Sequence, residues 1–234
     1  MKFIVSDEIF AKLPEMIVGV VVAHEIDNTK DYPQITAMLD QQVAAAQARF
    51  KDAKVKERPE IIPYREAFRT LGINPNRFPC SAEALFKRLA KGKDLPHINP
   101  LVDLNNAISL QYTVPMGTHT LDGVSEDVMM RPAVAGDQFV PLGKTAVEEP
   151  EAGEVVYAVG HQVRTRRWTW RQSEYGKIGP QTHSVFFPLD GFASTNRNAV
   201  LQARAALANR LEEIFGVTVQ TGLVDQAHPA FKWE

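Results

Sequence analysis

The chain has 234 residues, 44% of them apolar, and 26 Lys and Arg stand against 28 Asp and Glu for a formal net charge of −2. A chain of this size buries roughly 70% of its unfolded surface, which excludes a disordered tail or a disulfide-stapled miniprotein. The charge balance excludes a globally basic nucleic-acid binder, although it leaves room for a local basic patch. Cys80 is the one cysteine, so no intramolecular bridge can form, and no Cys/His spacing suits zinc. Asp7 and Glu8 come too early for a signal peptide. The longest apolar run, Met16 to Ala23, has 8 residues, far short of the ~20 that cross a bilayer as a helix. A cytoplasmic protein with no membrane contact is the expectation.

The first elements are two strands, Lys2–Val5 and Val18–His24, rich in β-branched residues on either side of Pro14. From Gln34 to Phe50, apolar residues recur at spacings of three and four and predict a helix. Pro59 is a good first-turn residue for the next stripe, Ile61, Tyr64, Phe68 and Leu71, which Gly72 ends. Ser81 is placed to cap a third helix, with Leu85, Phe86 and Leu89 inward and Lys87 and Arg88 outward. Cys80, just before it, reads as a structural thiol, since no histidine is placed to activate it as a nucleophile.

Asn99-Pro100 reads as cap and first turn of a fourth helix reaching Tyr112. On a helical wheel Leu101, Leu104, Asn105, Ile108 and Tyr112 share one side, and Asp103, Asn106, Ala107 and Leu110 the other. The two asparagines therefore point to different faces, and one of them is expected in any given cavity. Beyond Val128 the texture changes to short strands: Val128–Pro132, Gln138–Val140, Glu154–Val159, Val163–Trp170 and His183–Leu189. A helix over Asn196–Phe215, ended by Gly216, and a closing strand, Val217–Val224, complete the chain. Helices gathered in the first half, packed on mixed or antiparallel sheet from the second, predict an α+β fold.

No phosphate loop, G-x-G-x-x-G, H-E-x-x-H or G-x-S-x-G is present, and no cofactor or metal is expected. Two segments carry what chemistry there is. In the first, Asp103 and Asn106 lie three apart on the predicted helix, and the turn Val114-Pro115-Met116-Gly117-Thr118-His119 then delivers a histidine. The plainer reading is that Asp103 and Asn106 cap turns while His119 sits in a polar loop. The second is Arg164-Thr165-Arg166-Arg167-Trp168-Thr169-Trp170-Arg171-Gln172. Arginine for phosphate and tryptophan for base stacking suit a nucleic-acid 3′ end. Equally, the tryptophans can fill core while the arginines pair with Glu148, Glu149, Glu151 and Glu154.

The run L-V-D-L-N-N-A-I-S-L at 101–110 and the turn V-P-M-G-T-H-T-L-D at 114–122 resemble the B3/B4 domain of the bacterial phenylalanyl-tRNA synthetase β subunit, where V-D-x-T-N is followed by P-M-H-A-F-D. Free-standing B3/B4 proteins are more similar still, through Ser81–Leu85 with Arg88, Gly153–Ala158 and Arg167–Arg171. The resemblance covers about residues 60 to 220. It implies a B3/B4-like core over 59–224 with residues 1–58 as an N-terminal extension, the whole 1–234 being a single domain.

In the synthetase this domain hydrolyses tyrosine wrongly esterified to the phenylalanine tRNA. Carried over by motif, Asn106 matches the helix asparagine and Asn105 stands for the neighbouring threonine. His119 follows a turn two residues longer, Thr182 aligns with a threonine near the site's end, and the family glutamate falls within Gln172–Glu174. The implied activity is trans-editing, the hydrolysis of a misacylated aminoacyl-tRNA ester. Asn106, His119 as base, the Gly117 and Thr118 amides and Glu174 at the α-amino group would be catalytic. Asp103, Asn105, Gln172, Thr182 and Trp170 would bind the amino acid, and Arg166, Arg167, Arg171, Lys87 and Arg88 the tRNA. The alternatives are a tRNA- or amino-acid-binding module without catalysis, and an interaction domain associated with a synthetase.

Overall fold

The computed structural model describes residues 1–234 and is built on two sheets. In chain order the elements are β1 (Lys2–Val5), α1 (Asp7–Lys12), β2 (Met16–Ala23), α2 (Pro33–Phe50), α3 (Ile62–Thr70), α4 (Ser81–Leu89), α5 (Pro100–Tyr112), β3 (His119–Thr120) and β4 (Val128–Pro132). They continue with β5 (Val155–Val159), β6 (Gln162–Arg166), β7 (Arg171–Gln172), β8 (Val185–Phe192), α6 (Arg197–Phe215), β9 (Val219–Val224) and β10 (Ala230–Lys232). Six strands form one sheet in the order β10-β1-β4-β5-β6-β7, and four form the other, β3-β8-β2-β9. The β1–β4 pair is parallel and the remaining pairs are antiparallel. The fold is α+β, with β1 and β2 from the first half of the chain set inside the sheets.

Strand β2 is apolar at nearly every position because both its faces are buried. Met16, Val18, Val20 and Val22 turn toward the large core shared with the six-stranded sheet and α2–α5. Ile17, Val21 and Ala23 turn the other way, onto α6 and the Leu101, Leu104 and Ile108 stripe of α5. Helix α5 likewise serves two cores, with Ala107 and Leu110 in the first. The two sides of its helical wheel thus correspond to two packing partners rather than to core and solvent.

Several elements end where the sequence says they should. The Asn99 side chain accepts from the Val102 amide at 3.1 Å, and Gly216 closes α6 with φ +69°. Others differ. Helix α3 begins at Ile62 with Pro63, not Pro59, in its first turn, and Cys80 rather than Ser81 takes the cap position of α4. The predicted strand Val163–Trp170 stops at Arg166, because Arg167 and Trp168 adopt left-handed backbone with φ of 52° and 60°. Segment Gln138–Val140 makes isolated bridges only. Helix α1, β3 and β10 are too short to leave a periodic signal.

Helix α6 approaches β2 and β8 over glycine. A Cβ on Gly191 would lie 2.4 Å from a Val200 methyl and 2.8 Å from Asn196 Oδ1. That oxygen accepts from the Phe192 amide, and Asn196 Nδ2 donates to the Tyr64 hydroxyl. Gly191→Ala should therefore force α6 outward and disturb the Asn196 bonds, costing about 1–3 kcal/mol. A urea midpoint unchanged from that of the parent chain would contradict this packing account.

Candidate active site

Two adjoining cavities lie where α5, the turn before β3, the β6–β7 hairpin and β8 meet. The outer lobe, about 270 Å³, is lined by Asn105, Asn106, Thr118, Gln172 and Trp170 among others. The inner lobe, about 80 Å³, is lined by His119, Tyr157, Trp168, Thr169 and Asp190 among others. Ser81, Met116, Trp170 and Gln172 border both.

The structure brings both helix asparagines to the outer lobe, where the wheel allowed one. Asn105 is 6% exposed and its Oδ1 accepts no hydrogen bond, a costly state for a buried carbonyl. Gln172 Nε2 donates to the Thr118 carbonyl at 2.6 Å and to the Gly176 carbonyl at 3.2 Å, which ties the hairpin to the turn. The Gly117 amide donates to the Pro188 carbonyl and is engaged in sheet pairing, whereas the Thr118 amide has no partner within the protein. Of the two amides proposed from sequence as an oxyanion site, one is therefore available.

His119 is 1% exposed and stacks between Tyr157 and Phe186, with ring centroids 6.0 and 6.1 Å away. Neither ring nitrogen has a partner. Each faces a glycine: a Cβ on Gly117 would sit 2.9 Å from Nε2, and one on Gly176 2.9 Å from Nδ1. Burial, aided by the Arg164 charge, lowers its pKa to about 3. His119 is thus a neutral imidazole at physiological pH, and burial makes it a weak proton acceptor.

Asp190 is the group that sequence reading missed. It lies on the inner face of β8 and is 1% exposed. Its Oδ1 accepts from Tyr157 Oη at 2.6 Å and Trp168 Nε1 at 2.7 Å, while Oδ2 accepts from nothing in the protein. Burial pushes the carboxyl up to about 7, against the pull of those two donors. The one available signal was an acid inside the apolar run V-F-F-P-L-D-G-F.

Other predicted site residues lie elsewhere. Asp103 accepts from the Ile98 amide and bonds His97 at the far end of α5, so it braces the helix entry. Thr182 is buried in a turn, its hydroxyl accepting from the Gly179 amide. Glu174 is held outward by the Gly143 amide and Lys177, contacts that lower its pKa. Its neighbour Gln172 fills the cavity instead.

The arginines mostly follow the plainer alternative. Arg166, 6% exposed, pairs with Glu148 and Glu154, and Arg167 pairs with Glu151 and Glu154. The Arg167 amide also donates to Glu154, and the Trp168 amide donates to the Val155 carbonyl. These bonds hold the left-handed turn, a conformation that costs ~1–2 kcal/mol per residue. Lys87 pairs with buried Glu83, and Arg88 donates to the Asp94 carbonyl. Arg171 is exposed without a carboxylate partner. Trp168 is core, whereas Trp170 stands at the cavity, edge-on to Phe78 at 4.7 Å. Arg77, over Phe78, is exposed and lines a separate cavity on the far side of Trp170. Cys80 is buried, its thiol pushed up to about 12, and is unsuited to nucleophilic work.

Two consequences are measurable. Arg166→Ala should cost about 1.5–3 kcal/mol of stability, because buried Glu154 loses both Arg166 hydrogen bonds and keeps only its Arg167 contacts; a chain that unfolds at the parental denaturant concentration would refute the clamp. For Asp190, the folded form holds its proton to about pH 7, while the unfolded carboxyl ionises near pH 4. Between those values the folded state binds more protons, so this group's contribution to stability falls as pH rises. Asp190→Asn removes that decline, and its melting temperature relative to the parent should climb from pH 4.5 to pH 7.5. His119 titrates oppositely but identically in both proteins, so the difference isolates Asp190; parallel curves would show that the carboxyl is not perturbed.

The B3/4 domain family matches residues 63–218, the span holding α5, the β3 turn, the β6–β7 hairpin and β8. A comparison with curated proteins gives no match. Among solved structures, an N-terminal fragment of the phenylalanyl-tRNA synthetase β-subunit from Pyrococcus horikoshii is similar in fold, with a TM-score of 0.50 and 11% identity. The alignment covers 93% of this chain and 49% of that one, so the chain spans about half of the fragment's length. With a family match over most of its length and both lobes built largely inside that match, the chain belongs to the B3/4 domain family.

Proposed function

We propose that the chain is a trans-editing factor that hydrolyses the ester joining a wrong amino acid to a tRNA 3′ end. The observation that carries this reading is the convergence of Asn105, Asn106, Thr118 and Gln172 on one cavity beside Trp170. These groups are donors and acceptors for a carbonyl and a water, and no phosphate cradle accompanies them. An aminoacyl ester is activated, so positioning and oxyanion stabilisation supply much of what hydrolysis needs.

In this reading the Asn106 amide and the idle Thr118 N–H hold the ester carbonyl oxygen as negative charge develops on it. Asn105 Oδ1 and the Gln172 side chain position the attacking water. Water adds to the carbonyl carbon, the bond to the ribose oxygen breaks, and that oxygen leaves with a proton as the free terminal hydroxyl. Neutral His119 keeps the floor of the site rigid and uncharged. Trp170 offers a stacking face for the terminal base, with Arg171 as a phosphate contact on the rim and Arg77 as a second one beyond Trp170. Two exposed arginines in a chain of charge −2 give modest, salt-sensitive tRNA affinity. A second reading, a binding module that holds aminoacyl-tRNA without cleaving it, is favoured by one observation: His119 is buried with neither ring nitrogen partnered, which makes it a weak base.

A deacylation screen of the purified chain against correctly and wrongly charged tRNAs at low salt tests the proposal. One mischarged species should be released, and Asn106→Ala should lower kcat/KM by about 100-fold or more. Retained tRNA binding without release of any amino acid would leave the binding module and remove the enzyme.

A further inference from the structure

The inner lobe holds a feature that ester hydrolysis in the outer lobe leaves unused. Asp190 presents a carboxylate at the end of a narrow cavity, and both donors that the fold gives it fall on the same oxygen. The other oxygen calls for a donor from a ligand. The walls around it, Tyr157, Trp168 and Trp170, are aromatic, and Thr165 and Thr169 add hydroxyls. The Thr169 hydroxyl is buried and has no partner either. A carboxylate with one oxygen lacking a donor, in a lobe of otherwise neutral side chains apart from exposed Arg171, recognises an ammonium group, which supplies both the missing donor and the opposite charge.

We propose that the inner lobe is an ammonium subsite in which Asp190 Oδ2 and the Thr169 hydroxyl hold the α-amino group of the aminoacyl ester. The proposal rests on the deacylase reading for the identity of the ester and adds the element by which a charged tRNA is told from an uncharged or N-blocked one. It also gives Asp190 the position that the sequence resemblance had offered to Glu174, which the fold turns outward. The chain's own charges allow it. His119 is neutral, Tyr157 and Trp168 only donate hydrogen bonds, and Tyr64 donates to the Asp190 main-chain carbonyl. Arg171 is the one cation lining the lobe and is exposed, where water and salt screen it. An arriving ammonium stabilises the ionised carboxylate that burial alone disfavours, so binding releases a proton near pH 6.

The test uses stable analogues of the charged terminus, 3′-aminoacylamino-3′-deoxyadenosines covering the common amino acids, each paired with its α-desamino counterpart. Binding to the full chain and to Asp190→Asn is measured by calorimetry. The parent chain should prefer the amine by about 10-fold or more, and the preference should fall below about 3-fold in Asp190→Asn, whose amide keeps the Tyr157 and Trp168 bonds. Equal binding of amine and desamino forms to the parent chain would overturn the subsite and leave the deacylase reading standing. Failure of every analogue to bind would overturn both. An advantage confined to lysyl and ornithyl analogues, and surviving loss of the α-amine, would place a side-chain amine there and refute the α-amino assignment. The desamino comparison is made on the parent chain, so it does not depend on the variant's folding.

Discussion

The Asp190 carboxylate is a junction between the two sheets. It stands on β8 of the four-stranded sheet and receives the Tyr157 hydroxyl from β5 and the Trp168 indole from the β6–β7 turn, both in the six-stranded sheet. A buried carboxylate held this way carries a desolvation penalty that two hydrogen bonds only partly offset. What it secures is position. The separation of the sheets at this point is set by a hydrogen-bonded carboxyl rather than by interdigitated methyl groups, and the inner lobe is the space beside it. The backbone of the same turn is strained, and the Glu154 pairs with Arg166 and Arg167 hold it in place from the outside. The cavity and the arginine clamp are therefore two ends of one arrangement joined through residues 166–168.

Sequence periodicity reported the parts of this arrangement that are regular. The α5 stripe, the Asn99 cap, the Gly216 stop and the apolar strand β2 all follow from local chemistry that the chain displays openly. The resemblance through the α5 and β3-turn motifs pointed to the family to which the chain belongs. Residues 166–168 show the limit. Alternation from Val163 to Trp170 implies one strand, yet the two left-handed residues end it at Arg166, and beyond them Trp168 enters the core while Trp170 reaches the cavity. No local propensity encodes that turn, because tertiary bonds to Glu154 and Val155 impose it.

Site chemistry was legible in proportion to how local it was. Asn105, Asn106, Thr118, Gln172 and Trp170 all lie on the two segments that the sequence singles out, and all five border the outer lobe. Asp190 is separated from them by sequence and gains its character only from burial among aromatic rings, which a strand pattern does not reveal. The same reason separates Glu174 from Gln172. Two residues apart on the chain, they end with opposite surroundings, because a short 3-10 turn carries Glu174 toward the Gly143 amide.

The glycines on either side of the His119 ring have a further consequence for how such a chain can drift. Neither Gly117 nor Gly176 requires a left-handed backbone, so both are glycine because of what faces them: the imidazole on each side, with Pro188 beside Gly117 and Arg164 beside Gly176. A methyl group gained at 117 or 176 needs the side chain at 119 to shrink and Pro188 or Arg164 to yield as well, and a ring at 119 fits only where both flanks lack a side chain. The three positions form one epistatic unit. Its order of substitution is constrained, since a side chain at either flank must wait for a smaller residue at 119.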